Sequence, residues 1–333
     1  MLFDLRPKEK RGDLFDREKE LDAIVRGLEC HPIVLVLGPR RVGKTSLIRV
    51  AVGEASTRHV ILDVRSLYFE HGPVPKSVLA AHISSSFGLG ETRSLLEALS
   101  ELDAAGGGVI CLDEAQYLRL GGVDYRTILA WAADYLGKVR IIVTGSEGGI
   151  LRDFLALEDP RSPLYGRGIL ELNIGPFTED QAIEFLLRGA EELGKSCDRE
   201  EAREVVETVG TIPGWLTLYG HLRFVRGMGR EEALRRTFSE GSRMALAEIE
   251  PIIEPSRKRY MAILKAVAAG LRTWKDIKAF TEARAGPISD FRFTNLLKRL
   301  LKYGILRKRE GIYEFQDRIL ERAIREYGSG RRI

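Results

Sequence analysis

The chain has 333 residues, 44% hydrophobic and 30% charged, with 52 Lys and Arg against 48 Asp and Glu for a formal charge of +4. Disordered, collagen-like and disulfide-scaffold classes are excluded by that composition, and the length allows two or three domains. Cys30, Cys111 and Cys197 lie far apart with no CxxC spacing, so they are expected to be reduced, mostly buried thiols rather than a zinc or redox site. The first fifteen residues are charged throughout and no stretch approaches the ~20 apolar residues of a membrane span, so a cytoplasmic, membrane-free protein is expected.

In chain order, the run at 33–37, rich in β-branched residues, ends in Gly-Pro and passes into a helical pattern through Ser46, Leu47, Ile48 and Val50. The same strand-then-helix grammar recurs at 60–64, 109–112 and 139–143, with amphipathic stretches at 77–87 and 125–136 between them, and a fifth strand is expected at 169–174. Strands alternating with helices predict an α/β domain with a mainly parallel sheet covered on both faces. After Pro176 helical patterns take over at 178–193, 199–209, 214–225 and 231–249, the first with Thr178 as a capping residue, which predicts a small all-helical domain. Glu250-Pro251 and Glu254-Pro255 then punctuate the chain. The predicted organisation is an α/β core over 1–175, a helical lid over 176–254 and a third module over 255–333.

Between the first strand and its helix stands Gly38-Pro39-Arg40-Arg41-Val42-Gly43-Lys44-Thr45, a G-x-x-x-x-G-K-[ST] loop followed by Ser46. Its glycines let backbone N–H groups curl around phosphate oxygens, Lys44 is suited to β- and γ-phosphates, and Thr45 offers a hydroxyl to Mg²⁺. The strand at 109–112 delivers Asp113 and Glu114 at its carboxyl end, where open α/β sheets bind ligands. Asp113 is therefore the expected Mg²⁺ partner and Glu114 the group that polarises the attacking water. The strand at 139–143 ends in Thr144-Gly145-Ser146, with Ser146 first and Thr144 second as the hydroxyl that senses the γ-phosphate.

The last 79 residues hold 20 Lys and Arg against 8 Asp and Glu, a net of +12, so the rest of the chain carries −8. Helical patterns at 258–268, 274–281 and 288–303, followed by a hairpin turning at Glu310-Gly311, predict a winged helix-turn-helix. Arg292, Lys298, Arg299 and Lys302 on its third helix and Arg307, Lys308 and Arg309 on its wing are candidate contacts to duplex DNA phosphates.

The strings LFDREKEL (14–21), LGPRRVGKTSLI (37–48), LDEAQYL (112–118), IIVTGSEGG (141–149), SPLYGR (162–167) and GTIPGWLTLYG (210–220) together resemble the archaeal P-loop ATPases of the AAA+/STAND group, relatives of replication-initiator ATPases and of NACHT and NB-ARC switches. The resemblance implies an AAA+/STAND P-loop core with an all-helical lid and a C-terminal winged helix, binding ATP or ADP with Mg²⁺. It further implies that Leu14, Phe15 and Arg17 lie beside the adenine. Arg167 falls where an arginine finger would stand, serving its own chain or, on self-association, a neighbour. Pro213 corresponds to the lid proline that contacts the base. It also places Phe315-Gln316-Asp317 at a wing-end motif, here with Arg318 in place of the usual proline. No lid arginine of the sensor-2 kind stands out, which suits a slow, switch-like ATPase. The alternative is a DNA-binding regulator or initiator-like loader in which ATP sets conformation with negligible turnover.

Overall fold

The computed structural model describes residues 1–55 and 57–327. They fall into two compact units: Arg6–Gly175, and Met1–Leu5 together with the chain from Pro176 onward.

In the first unit β1 (Ile33–Leu37), β2 (His59–Asp63), β3 (Gly108–Asp113), β4 (Val139–Gly145) and β5 (Ile169–Asn173) form one parallel sheet in the order β2-β3-β4-β1-β5. Each crossover carries at least one helix, as parallel pairing requires. Every residue of β1 and β3 is buried. The strand period of two explains this, because Ile33, Leu35, Leu37, Ile110 and Leu112 feed one apolar cluster while Val34, Val36, Val109 and Cys111 feed the other. Burial pushes the Cys111 thiol well above its ordinary pKa, so it stays protonated and inert. The expectation of mostly buried cysteines needs correction, since Cys197 is half-buried and Cys30 exposed.

The register brings Leu37, Gly145 and Asn173 level with one another, and Asp63 level with Asp113. All five strands run the same way, so the loops that follow them gather at one edge of the sheet.

The second unit begins with helices Glu179–Glu192, Arg199–Val209, Pro213–Gly220 and Arg230–Ile253, the third extended by a π-type turn at His221–Val225. Thr178 caps the first in a reciprocal capping box with Gln181. Helices Arg257–Ala268, Trp274–Ala285 and Asp290–Lys302 follow, then the antiparallel hairpin of β6 (Leu306–Arg309) and β7 (Ile312–Phe315). Glu310 (φ 49°) and Gly311 (φ 85°) turn the wing with two left-handed residues, the conformation that matches strand twist in a two-residue hairpin.

Helices Val64–His71, Leu95–Ala104 and Gly148–Leu155 of the first unit lie outside the sequence reading, as do two features of the second. Pro251 does not end its helix, which runs on to the buried Ile253; a proline so near the carboxyl end removes one N–H but leaves the remaining turns intact. A last helix, Arg318–Tyr327, has no counterpart in the sequence pattern read above. It buries Ile319, Leu320, Ala323 and Ile324 on one face, and Asp317 caps it by accepting the backbone N–H groups of Ile319 (2.8 Å) and Leu320 (3.3 Å). Among the described residues no helix is long and apolar enough to cross a membrane.

Candidate functional site: a phosphate-binding loop and its carboxylates

At the carboxyl edge of the sheet the chain leaves β1 through Gly38 and enters the helix Lys44–Glu54. Gly38 is dictated by crowding: a Cβ there would lie 2.1 Å from the carbonyl oxygen of Ile174, whose own N–H donates to Leu37 O at 2.7 Å. Gly43 has φ 96° and open space where a Cβ would stand, so it supplies the left-handed turn that starts the helix while leaving its amino end uncovered. Arg41 is also left-handed (φ 65°), and Val42 anchors the loop in the core. The loop therefore presents backbone N–H groups and a helix amino terminus to one small volume, the arrangement that favours an anion.

The Lys44 side chain is 5% exposed and its ammonium donates to Gly38 O and Pro39 O, both at 2.9 Å. Burial pulls its pKa down, against the raising influence of Glu114 and Asp113. Thr45 donates its hydroxyl to Asp113 at 2.7 Å, and Thr144 donates to the other oxygen of the same carboxylate. Two hard oxygen donors, a hydroxyl and a carboxylate, thus stand side by side from two elements distant in sequence, a donor set that suits Mg²⁺.

Glu114 follows in a left-handed conformation (φ 56°), which turns the chain sharply off the end of β3. Its Oε2 accepts from Ser146 Oγ at 2.5 Å and from Gln116 Nε2 at 2.6 Å, and the Ser146 N–H approaches at 3.4 Å. Burial alone would raise this carboxyl; the Lys44 ammonium, these hydrogen bonds and Arg40 outweigh it and hold the group below its ordinary pKa. Beside them Arg40 pairs with the buried Glu147 at 3.3 Å, where burial lifts the Glu147 carboxyl despite the arginine.

The structure brings Gly38, Lys44, Thr45, Asp113, Glu114, Thr144 and Ser146 together. The Ser46 hydroxyl accepts the Lys8 N–H at 3.0 Å, tying the amino-terminal segment to the loop's helix. Phe15 is buried, and Arg17 reaches Gly175 O at 2.6 Å and Glu20 at 3.0 Å, so it clamps the first helix to the last residue of this unit. Pro213 is the first residue of its helix in the second unit, whose approach is fixed by Phe177 N–H donating to Thr211 O at 3.0 Å.

Arg167 is not brought to this site. It precedes β5, whose first residue pairs with Ile33 at the opposite end of β1, roughly 15 Å along the strands from Gly38. Its guanidinium forks onto Asp134 at 2.8 and 2.5 Å. Sequence reasoning missed Gln116 and Glu147 altogether. The only available signal was their position one or two residues beyond Glu114 and Ser146, and neither belongs to a periodic pattern.

Residues 30–178 match the AAA domain family, and residues 254–315 match the C-terminal winged helix-turn-helix domain of MCM proteins. The Walker-type ATPase PABY2304 of Pyrococcus abyssi is 35% identical over 98% of this chain and 100% of that one, with a TM-score of 0.89. The chain belongs to the P-loop AAA+ ATPases. Among curated proteins none matches it by sequence. The ORC1 protein of Aeropyrum pernix, solved in complex with DNA, shares the fold at 18% identity, covering 94% of this AAA+ chain and 93% of that one with a TM-score of 0.51. The α/β P-loop sheet, the helical region and the winged helix of this ATPase are thus the architecture its sequence predicts.

Proposed function

We propose that this AAA+ protein binds MgATP at Gly38–Thr45, hydrolyses it slowly, and uses the nucleotide state to set the position of its winged helix. In this reading the loop N–H groups and Lys44 hold the phosphates, while Thr45 and Asp113 hold Mg²⁺. The ion, when bound, offsets charge on the phosphate oxygens. Glu114 takes a proton from the attacking water, and Ser146 connects that carboxylate to the γ-phosphate. Phe15, Arg17 and Pro213 are assigned to the base.

The observation that carries the slow-switch reading is the double hold on Glu114 Oε2 by Ser146 and Gln116. Two short hydrogen bonds to this oxygen disperse the carboxylate's charge and make it a weaker base, which slows proton uptake from water. Replacing Gln116 with alanine is expected to raise kcat on the order of tenfold, the worth of one hydrogen bond to a charged group. The sign of the pH effect follows from the same bond. The hydrogen bond from Gln116 contributes to holding Glu114 below the ordinary carboxylate range, so the native rate stays flat from neutral pH down through that range and falls only below it. Losing that bond raises the pKa, so the acid limb of the Gln116→Ala kcat profile should move to higher pH. A rate that is unchanged or lower, with an unmoved limb, would reject the hold.

Coupling to the winged helix is supported by Trp215, two residues into the Pro213 helix, whose Nε1 donates to Asp317 at 3.0 Å. Asp317 in turn caps the last helix, so one carboxylate links the lid to the segment that follows the wing.

The second reading, DNA binding with negligible turnover, is favoured by the surface of the helix Asp290–Lys302. Phe291 is 77% exposed there, and Arg292, Lys298 and Lys302 are exposed beside it. Arg299 is less available than its spacing suggests, being half-buried with its guanidinium over Tyr303, and Arg307 is paired with Glu314 at 3.1 Å. If the helix meets phosphates, Lys298→Glu with Lys302→Glu should weaken duplex binding about equally for all sequences and lower the salt slope by about two. Absence of duplex binding by the native protein at low salt would end this reading.

A further inference from the structure

A cleft of about 550 Å³ opens within the second unit, away from the P-loop, where the end of helix Arg199–Val209 meets the last helix and the turn that follows helix Arg257–Ala268. Arg318, Arg322 and Arg325 line it from successive turns of the last helix, Arg272 lines it from the turn, and Glu207 and Glu321 are the acidic side chains among the described residues that line it. The spacing of four and three residues puts the three helical arginines on one face. Arg325 is ion-paired with Glu321 and Arg272 with Glu314, so Arg318 and Arg322 carry the positive charge of the hollow.

These arginines are oriented rather than merely nearby. Arg322 donates to Thr208 O at 3.2 Å and lies over the Phe238 ring, Arg325 donates to Ala268 O at 2.9 Å and Glu321 at 3.1 Å, and Arg272 donates to Glu314 at 3.0 Å. Each of these contacts engages only part of a five-donor fork. Arg318 makes no hydrogen bond or ion pair with any described residue, although its stem is held against Gly210. A hollow of this size, lined by partly used and unused guanidiniums, fits a ligand bearing two or more phosphoryl groups, because guanidinium forks match phosphate oxygens in pairs and the volume lies within the range of small-molecule sites.

We propose that this cleft is a second anion site, taking a soluble di- or triphosphate and clamping the lid, the Arg272 turn and the last helix together. It stands apart from the P-loop reading and does not require it. The test uses the full chain carrying Lys44→Ala, so that the phosphate loop is disabled, titrated calorimetrically with inorganic pyrophosphate. Saturable one-to-one binding is expected, weakened about tenfold or more by adding Arg318→Gln, with Arg322→Gln as a second variant. The Arg318 side chain is exposed and partnerless among the described residues, so its variant should keep the parent's hydrogen-exchange protection in the last helix. No saturable binding, or binding that neither arginine variant alters, would overturn the site. So would pyrophosphate failing to bind while Arg318→Gln weakens duplex DNA binding, since the arginines would then serve a nucleic-acid backbone.

Discussion

Replacing Glu114 with glutamine should lower ATP hydrolysis by about 10²- to 10⁴-fold, the usual contribution of a positioned general base. Nucleotide binding should survive, because the phosphate loop, Lys44 and the Thr45–Asp113 pair are built from other residues. The change keeps the volume of the side chain and an oxygen able to accept from Ser146, while removing the charge that takes the proton. Phosphate release at saturating ATP, measured together with retention of a labelled nucleotide, separates the two effects. A Glu114→Gln protein that hydrolysed ATP at the native rate would mean that water is activated by another group and that the hold by Ser146 and Gln116 is structural.

The second large effect concerns stability. Phe3 is fully buried in the second unit, stacked on Phe224 and edge-on to Phe185, both at 5.6 Å between ring centres. It occupies a slot that exists only because two helical residues lack side chains: a Cβ on Gly189 or Gly220 would come within 2.3 or 2.2 Å of its ring. Leu2 N–H donating to Glu192 at 2.7 Å holds the same segment in place. Phe3→Ala should cost about 3–5 kcal/mol, the range for emptying a buried aromatic site. Because the chain has more than one compact unit, a single melting temperature would blur the result. Hydrogen exchange of the amides in helices Glu179–Glu192 and Pro213–Gly220 is the appropriate readout. A loss of protection below about 1 kcal/mol, typical of a surface change, would show that the slot closes without the ring.

Much of the core could be read from local chemistry. A five-residue apolar run rich in β-branched residues and ending in Gly-Pro, followed by a glycine-containing loop and Lys-Thr, specifies strand, turn and helix through steric and hydrogen-bonding rules that act over a few residues. The same holds for Asp113 and Glu114 at the end of a wholly apolar strand, for Thr178 as a cap and for the Glu310-Gly311 turn. The five strands of the first unit were legible for this reason, and so were the helices before the wing.

What could not be read depends on residues far apart in the chain. Arg167 shows the limit: its string resembles a finger motif, yet the parallel register of β5 on β1 sets it at the far edge of the sheet, where Asp134 engages it. Gln116 gains its role only because β4 lies beside β3 and brings Ser146 against Glu114. The four-arginine cleft arises where a last helix with no advance signal meets a turn some fifty residues earlier.

By itself the sequence determined the P-loop, its two carboxylates, the parallel sheet and the winged helix, since each is encoded by contiguous residues whose backbone preferences and apolar periods are local. Only the tertiary structure decided which side chains surround those carboxylates, which arginines are engaged, and how Phe3 is held in the helical unit. Those contacts are set by strand order and helix packing, which join residues tens to two hundred positions apart and leave no periodic trace in the chain.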